Sequence, residues 1–137
     1  MCVYYSIHLL SPFTMDSKLF TPFQLGPLTL RNRTIRSAAF ESMGKDFGPT
    51  QALKDYHVSV AKGGVGMTTL AYASINRSGV SFNSQLWLRD EIVAPLKDIT
   101  DAIHAEGAAA GIQIGHCGNM THWSTAGSFP VSDSNGF

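Results

Sequence analysis

The stretch DEIVAPLKDITDAIHAEGAAAGIQIG, residues 90–115, predicts a helix followed directly by a strand. Four aliphatic residues recur at i, i+4, i+7 and i+11, on one stripe of a helix: Ile92, Leu96, Ile99 and Ile103. Pro95 suits a first helical turn, and Gly107 is typical of the position after a helix end. The apolar run of residues 108–115 is compatible with a strand buried on both faces.

A similar strand–helix pattern precedes this one. Gly48-Pro49 interrupts the chain, and Thr50 is a typical helix N-cap. Apolar and aromatic positions then recur at helical spacing until Gly63-Gly64: Leu53, Tyr56 or His57, Val60 and Ala61. VGMTTLA, residues 65–71, is a compact strand candidate, and the polar residues 74–84 are predicted to form a loop.

Further upstream, residues 19–26 and 28–32 predict a β-hairpin around the turn signal Gly26-Pro27, and residues 33–39 predict a third short strand. Strands that alternate with helices predict right-handed βαβ units and a parallel sheet, either an open doubly wound sheet or the start of a (β/α)8 barrel. An open sheet that binds a dinucleotide carries GxGxxG after its first strand, and residues 36–44, RSAAFESMG, lack it. A barrel takes about 250 residues, so this chain would hold about three of its eight units.

Composition excludes several classes of function. Ten basic residues against ten acidic ones give zero net charge, which excludes a general nucleic-acid binder. Two cysteines, Cys2 and Cys117, are too few for a disulfide framework and indicate a reducing, cytoplasmic setting. Apolar runs stay short of the roughly 20 residues that cross a bilayer, so no membrane partner is expected. Residues 1–14 hold no charge, and we interpret residues 1–18 as a poorly ordered extension before a barrel part at 19–137.

Both α/β architectures place ligands at the carboxyl ends of their strands, which selects residues 38–42, 71–74 and 113–119. The small side chains of Ser37, Ala38 and Ala39 would let a planar ligand approach the backbone, or would serve tight helix packing.

Gln113 lies inside the apolar run GIQIG, where an amide requires hydrogen-bond partners. It suits the edge of a pyrimidine-like ring, or else it satisfies neighbouring backbone groups. His116, Cys117 and His122 have no metal-site spacing, so no metal is expected.

Four motifs in order resemble the opening of the old yellow enzyme family of FMN-dependent NADH:flavin oxidoreductases. They are RNRTIRSAAFESM, AKGGVGM, DEIVAPLKDITDAIHAEGA and GIQIGHCGN, and the resemblance runs from Leu19 to Asn119. It implies the N-terminal part of a (β/α)8 TIM barrel, about three strand–helix units preceded by a β-hairpin. It also implies FMN at the barrel mouth, NAD(P)H as hydride donor and a small α,β-unsaturated substrate, with association into homo-oligomers left open.

The resemblance implies flavin contacts from two strand ends and one strand: Ser37, Ala38, Ala39, Phe40, Tyr72 and Gln113. The chain departs from the family at Ala38-Ala39, where Pro-Met or Pro-Leu is common, and at Phe40, where many members have Thr or Cys. Family residues that bind the substrate carbonyl and donate a proton lie beyond the third strand, so no catalytic residue is assigned.

Two other functions fit the residues less well. An inactive barrel remnant would act through association with other chains, because three parallel strands leave an open edge. A barrel enzyme without flavin, such as a phosphate-binding lyase, is disfavoured by Gln113.

Overall fold

The computed structural model describes residues 17–133. Most of the expected N-terminal extension, residues 1–16, lies outside the described residues. The described part begins with Ser17, whose hydroxyl caps a short 3-10 turn at Lys18–Phe20. Among the described residues, no helix is both long and apolar enough to cross a membrane.

The predicted hairpin is confirmed. Strands β1 (Phe23–Leu25) and β2 (Leu28–Leu30) pair antiparallel, and Gly26 adopts φ +55° in the turn between them. Directly after β2, Arg31 donates to carbonyl oxygens at the carboxyl ends of both long helices, including Glu106 at 2.8 Å. A cation at helix carboxyl ends is favourable, so Arg31 attaches the hairpin to the carboxyl ends of both helices.

Within residues 17–133, four parallel strands and three α-helices follow the hairpin. Their bounds are β3 (Ile35–Arg36), α1 (Gln51–Lys62), β4 (Met67–Ser74), β5 (Leu86–Trp87), α2 (Val93–Ala105), β6 (Ala109–Gly115) and α3 (Trp123–Ala126). Strand β4 is central, because Met67 pairs with both Ile35 of β3 and Ala109 of β6. The carboxyl end of β4 pairs with β5 through Ala73 and Leu86. Strands β3 and β5 thus lie along one edge of β4, and β6 lies along the other.

Both long helices form as their end signals predict. Thr50 is the N-cap of α1, and its hydroxyl accepts a hydrogen bond from the Leu53 N–H at 3.3 Å. Gly107 lies just after α2 with φ +76°. Of the predicted stripe, Ile99 and Ile103 of α2 and Ile92 just before it are buried, and Leu96 is half-buried.

The core lies between the helices and one face of the sheet. It is formed by aliphatic side chains from α1, β4, β5, α2 and the start of β6: Leu53, Ala61, Leu70, Ala73, Leu86, Ile99, Ile103 and Ala108. Helix α1 contacts α2 directly, with Lys54 Nζ 2.7 Å from an Asp98 carboxylate oxygen, so both helices cover the same face.

Three local predictions are wrong. The third strand has only two residues rather than residues 33–39, and β5 was not predicted. Residues 74–84 are not all loop, since β4 extends to Ser74 and a 3-10 turn forms at Arg77–Gly79. Strand β6 is not buried on both faces: Ile112 is 38% and Ile114 59% exposed, because β4 is its one strand partner in the described chain.

Candidate functional site

The carboxyl ends of β4 and β6 open into one cavity of about 310 Å³. It is lined by Tyr72, Gln113, Ile114, Gly115, His116 and Cys117. Parallel pairing explains this convergence, since it brings strand ends of equal direction to the same edge of the sheet. Two of the six predicted ligand contacts, Tyr72 and Gln113, therefore lie together.

Phe40 joins this cavity through its contact with Tyr72. The two rings meet edge to face, with centroids 5.2 Å apart and planes at 64°. The other side of Phe40 stacks on Phe82, at 5.1 Å and 24°. Phe82 was not predicted as a site residue, because it lies in a polar segment without periodicity and only the fold brings it to Phe40.

Gln113 projects from the face of the sheet away from the helices. Side chains alternate along a strand, so Gln113 shares its face with Gly111. A Cβ at Gly111 would lie 2.5 Å from Met67 Cε, whereas Ala110 on the opposite face packs against the core. The expectation that Gln113 is buried is wrong: it is exposed, because no neighbouring strand in the described chain covers this face.

The three small residues before Phe40 lie further from the cavity than Tyr72 and Gln113 do. Ser37 and Ala39 are exposed and Ala38 is half-buried, and none of the three lines the cavity. The Ala39 carbonyl accepts a hydrogen bond from Arg36 Nη2 at 3.1 Å, which fixes the backbone just before Phe40. The structure thus brings Phe40, Tyr72 and Gln113 together, whereas residues 37–39 form the segment between β3 and Phe40 and lie outside the cavity.

A buried polar cluster lies beside the segment at residues 37–40. Arg36 Nη1 is 2.5 Å from Glu41 Oε1, and His57 Nε2 lies 3.2 Å from the same oxygen without good hydrogen-bond alignment. Burial raises the pKa of the Glu41 carboxyl. The contact with His57, the Glu41 and Ala71 N–H groups and the Arg36 charge together outweigh burial, so this pKa lies below its ordinary value. Sequence patterns gave no signal for this cluster.

His116 is directed away from Cys117. Its Nδ1 accepts from the Gly118 N–H at 3.0 Å, so Nε2 carries the proton and donates to Ser78 Oγ at 3.1 Å. A Cβ at Gly79 would lie 2.4 Å from His116 Cδ2, which shows how closely the ring packs on the turn after β4. His116 therefore orients the loop after β6.

Cys117 contacts Tyr72 instead of a histidine. The thiol lies 3.7 Å from the Tyr72 hydroxyl, within the cavity. Burial, together with the hydrogen bond from Cys117 and its charge, raises the pKa of the Tyr72 hydroxyl above its ordinary value. The phenol thus stays protonated and can donate a hydrogen bond at neutral pH. Within residues 17–133, no group of three histidine, cysteine or acidic side chains is placed to hold a metal.

Consecutive parallel strands in the order β3, β4, β6, with α1 and α2 on one side, define the singly wound part of a (β/α)8 barrel. The model of the NADH:flavin oxidoreductase / NADH oxidase family matches residues 18–134. The chain belongs to this family.

Curated relatives agree with this placement. The chain is 42% identical over 100 residues to a 4,4'-dithiodibutanoate disulfide reductase of Rhodococcus erythropolis, covering 73% of this chain and 25% of the relative. It is 42% identical over 118 residues to a probable N-methylproline demethylase of Rhizobium meliloti, covering 85% and 17%. An NADPH dehydrogenase of Listeria welshimeri is 37% identical over 106 residues, covering 74% and 31%. The chain thus spans a third or less of these relatives.

Solved structures share the fold. An old yellow enzyme homologue from Zymomonas mobilis superposes with a TM-score of 0.78 at 24% identity, over 86% of this chain and 33% of the homologue. Morphinone reductase in complex with tetrahydroNAD gives a TM-score of 0.70 at 27% identity, over 78% and 29%. The α/β fold is therefore that of part of the old yellow enzyme barrel, as the sequence resemblance implied.

The residues at the cavity fit the ring system of a flavin. Gln113 offers one amide donor pair and one acceptor at an open face, which matches the mixed donors and acceptors of a pyrimidine edge. Phe40 and Tyr72 supply aromatic walls beside it. Gly115 has no side chain, and a Cβ there would meet nothing within 4 Å, so the cavity stays open next to Gln113.

Proposed function

We propose that this chain supplies the ring-contacting part of an FMN-dependent NAD(P)H oxidoreductase of ene-reductase type. The observation that carries the proposal is the convergence of Phe40, Tyr72 and Gln113 at the carboxyl ends of parallel strands in a chain of this family. FMN would supply hydride transfer from NAD(P)H to an α,β-unsaturated substrate.

Each of the three residues has a separate role in this proposal. The Gln113 amide would hold the pyrimidine edge, since it can both donate and accept a hydrogen bond. Phe40 and Tyr72 would exclude water beside the ring, and the Tyr72 hydroxyl, a donor at neutral pH as tyrosines ordinarily are, has its pKa raised further by burial. Ser37, Ala38 and Ala39 leave space for a planar group near the backbone. The phosphate contacts and the groups that touch substrate are expected on later strands.

The direct test extends this sequence by the remaining strands of a family relative. Retention of one FMN per chain after gel filtration would support the binding role. Oxidation of NAD(P)H that requires an α,β-unsaturated ketone would support the ene-reductase reaction. A flavin-free extended protein that is nevertheless folded would contradict the proposal.

The alternative, a barrel remnant that acts by association, has one observation in its favour. Large apolar side chains are exposed on β6 and after it: Ile112, Ile114, Met120, Trp123, Phe129 and Val131. Exposed large apolar side chains, where they adjoin one another, mark an interface. Light scattering by the chain over a range of concentrations tests this alternative.

A further inference from the structure

The segment at residues 37–40 carries four of the six proposed flavin contacts, yet it belongs to no strand or helix. It runs from the end of β3 to Phe40 with Arg36 before it and Glu41 after it. Since an irregular segment has no ladder to fix it, other bonds must set its position. The two flanking charged residues provide them.

Arg36 and Glu41 connect this segment to β4. Arg36 donates from Nη2 to the Ala39 carbonyl and from Nη1 to both the Thr69 carbonyl, at 2.6 Å, and Glu41 Oε1. The other carboxylate oxygen, Glu41 Oε2, accepts the Ala71 N–H at 3.2 Å. Both attachments on β4 thus lie just before Tyr72.

His57 of α1 lies behind the carboxylate. It is fully buried, its Nδ1 is 2.8 Å from Thr68 Oγ1, and its Nε2 faces Glu41. Arg36 lies over the Tyr56 ring at 5.2 Å. The Glu41 side chain is 2% exposed, so the carboxylate is held in one place by groups from α1, β3 and β4.

Stability alone is a weak explanation for this cluster. A buried ion pair is often no more stabilising than apolar residues of similar volume, because both charges lose their hydration. Here the pair bonds to backbone groups of two different segments, which apolar side chains cannot do. The bonding pattern therefore fixes a distance between segments as well as filling space.

We propose that Glu41, acting through Arg36 and the Ala71 N–H, is a positioning residue that holds Phe40 against Tyr72 and so shapes the flavin-ring site. The inference rests on the proposed function, although the geometry that it concerns exists in the chain without flavin. Glu41 itself need not touch the flavin.

The first measurement is residue-resolved hydrogen exchange by mass spectrometry on the 137-residue chain, which tolerates association. Glu41→Ala should raise the exchange rate of the Ala71 amide by about tenfold or more, and leave amides of α2 within about twofold. Glu41→Gln should give an intermediate rate, because its amide oxygen still accepts. Asp98→Asn, which breaks the exposed ion pair with Lys54, is the matched control and should not affect Ala71.

The second measurement is a titration with lumiflavin, which has the flavin ring but no phosphate, followed by fluorescence. We expect Glu41→Ala to weaken binding by about tenfold and Glu41→Gln by less, with Asp98→Asn unchanged. If Glu41→Ala does not fold, Arg36→Lys takes its place, since one ammonium group cannot make all three bonds of the guanidinium.

Two results would overturn the positioning role. One is a folded variant whose Ala71 exchange equals that of the wild type. The other is acceleration of all amides by the same factor, which indicates global stability alone. A wild-type chain that does not bind lumiflavin would instead count against the proposed flavin site, while the exchange data would still decide the role of Glu41.

Discussion

Gln113 and His116 line the same cavity but have different surroundings. The Gln113 side chain is exposed on the face of β6 away from the helices, where its amide is accessible to a ligand. Both nitrogens of the His116 ring are already hydrogen-bonded, to Ser78 Oγ and to the Gly118 N–H. Ligand binding should therefore depend strongly on Gln113 and weakly on His116.

Gln113→Leu in the extended protein should reduce FMN affinity. The substitution keeps the size and removes both hydrogen bonds to the pyrimidine edge. Each lost bond costs about 1–3 kcal/mol, so the loss of both should raise the dissociation constant roughly thirtyfold or more. Gln113→Glu should be worse, because a carboxylate does not donate and opposes the negative charge of reduced flavin. Equal constants for wild type and Gln113→Leu in a titration would contradict the assignment, and His116→Ala serves as the matched control.

Acid should destabilise the chain partly through Glu41. Its pKa is lowered in the folded state, so the unfolded state binds a proton more readily. The resulting stability is present above the unfolded pKa of about 4.3 and is lost as pH falls through the lower folded value. Urea unfolding of wild type and Glu41→Gln, followed from pH 7 downwards, should show a steeper loss in the wild type below about pH 4.5. Parallel curves would exclude this contribution.

At the scale of elements, α1 and α2 were predictable because their signals are local. Thr50 caps its own helix, and the stripe Ile92, Ile99 and Ile103 depends on sequence spacing alone. Strand β5 was not predictable, since two residues carry no period and form a strand only where β4 provides partners. The exposure of Gln113 and the Glu41–His57 contact depend on which segments meet, and that information lies outside each segment.

Thr50→Ala should destabilise the chain by about 1 kcal/mol, because the Leu53 N–H loses its capping oxygen. The loss should exceed that of a cap alone, because the hydroxyl also donates a hydrogen bond to the Met43 carbonyl at 2.5 Å. Thr100→Ala, at a half-buried position within α2 whose hydroxyl donates to its own helix, is the control and should change stability less. Chemical denaturation followed by circular dichroism measures both, and equal effects would show that the cap contributes nothing.

At the scale of the whole molecule, strand β6 is the feature most expected to cause association with other chains. In the described chain, one edge of β6 pairs with β4 and the other has no strand partner. The Ile114 side chain on β6 is 59% exposed, and that of Trp123, nine residues later, is 62% exposed. Unpaired edges with apolar side chains favour pairing with another chain. The opposite face of β6, which carries Gln113, is also uncovered in the described part of the chain, so Gln113 is exposed.

The chain should associate in a concentration-dependent manner. Ile114→Lys should reduce association, because a charged side chain on an edge strand opposes pairing. Val93→Lys, at a position on α2 that is 62% exposed, is the matched control and should leave association unchanged. Light scattering over a range of concentrations measures both. A compact monomer at every concentration would disprove the expectation and weaken the alternative function.

The 137-residue chain should not retain stoichiometric FMN. It carries only the proposed ring contacts, while the proposed phosphate contacts belong to later strands of the family's barrel, so the phosphate would remain in water. Visible absorbance at the flavin bands after gel filtration, corresponding to one FMN per chain, would refute this. The extended protein under the same conditions is the comparison.

Gly79, in the turn behind His116, and Gly115, at the end of β6, should respond oppositely to random mutagenesis. A Cβ at Gly79 would lie within 2.5 Å of both the His116 ring and Ser74 Oγ, whereas one at Gly115 would meet nothing within 4 Å. Codon 79 should therefore accept almost no replacement, since any side chain displaces His116 from its seat on the turn after β4. Codon 115 is the natural place to diversify when the cavity is to be adapted to a new ligand, because side chains there enter space that the fold leaves empty.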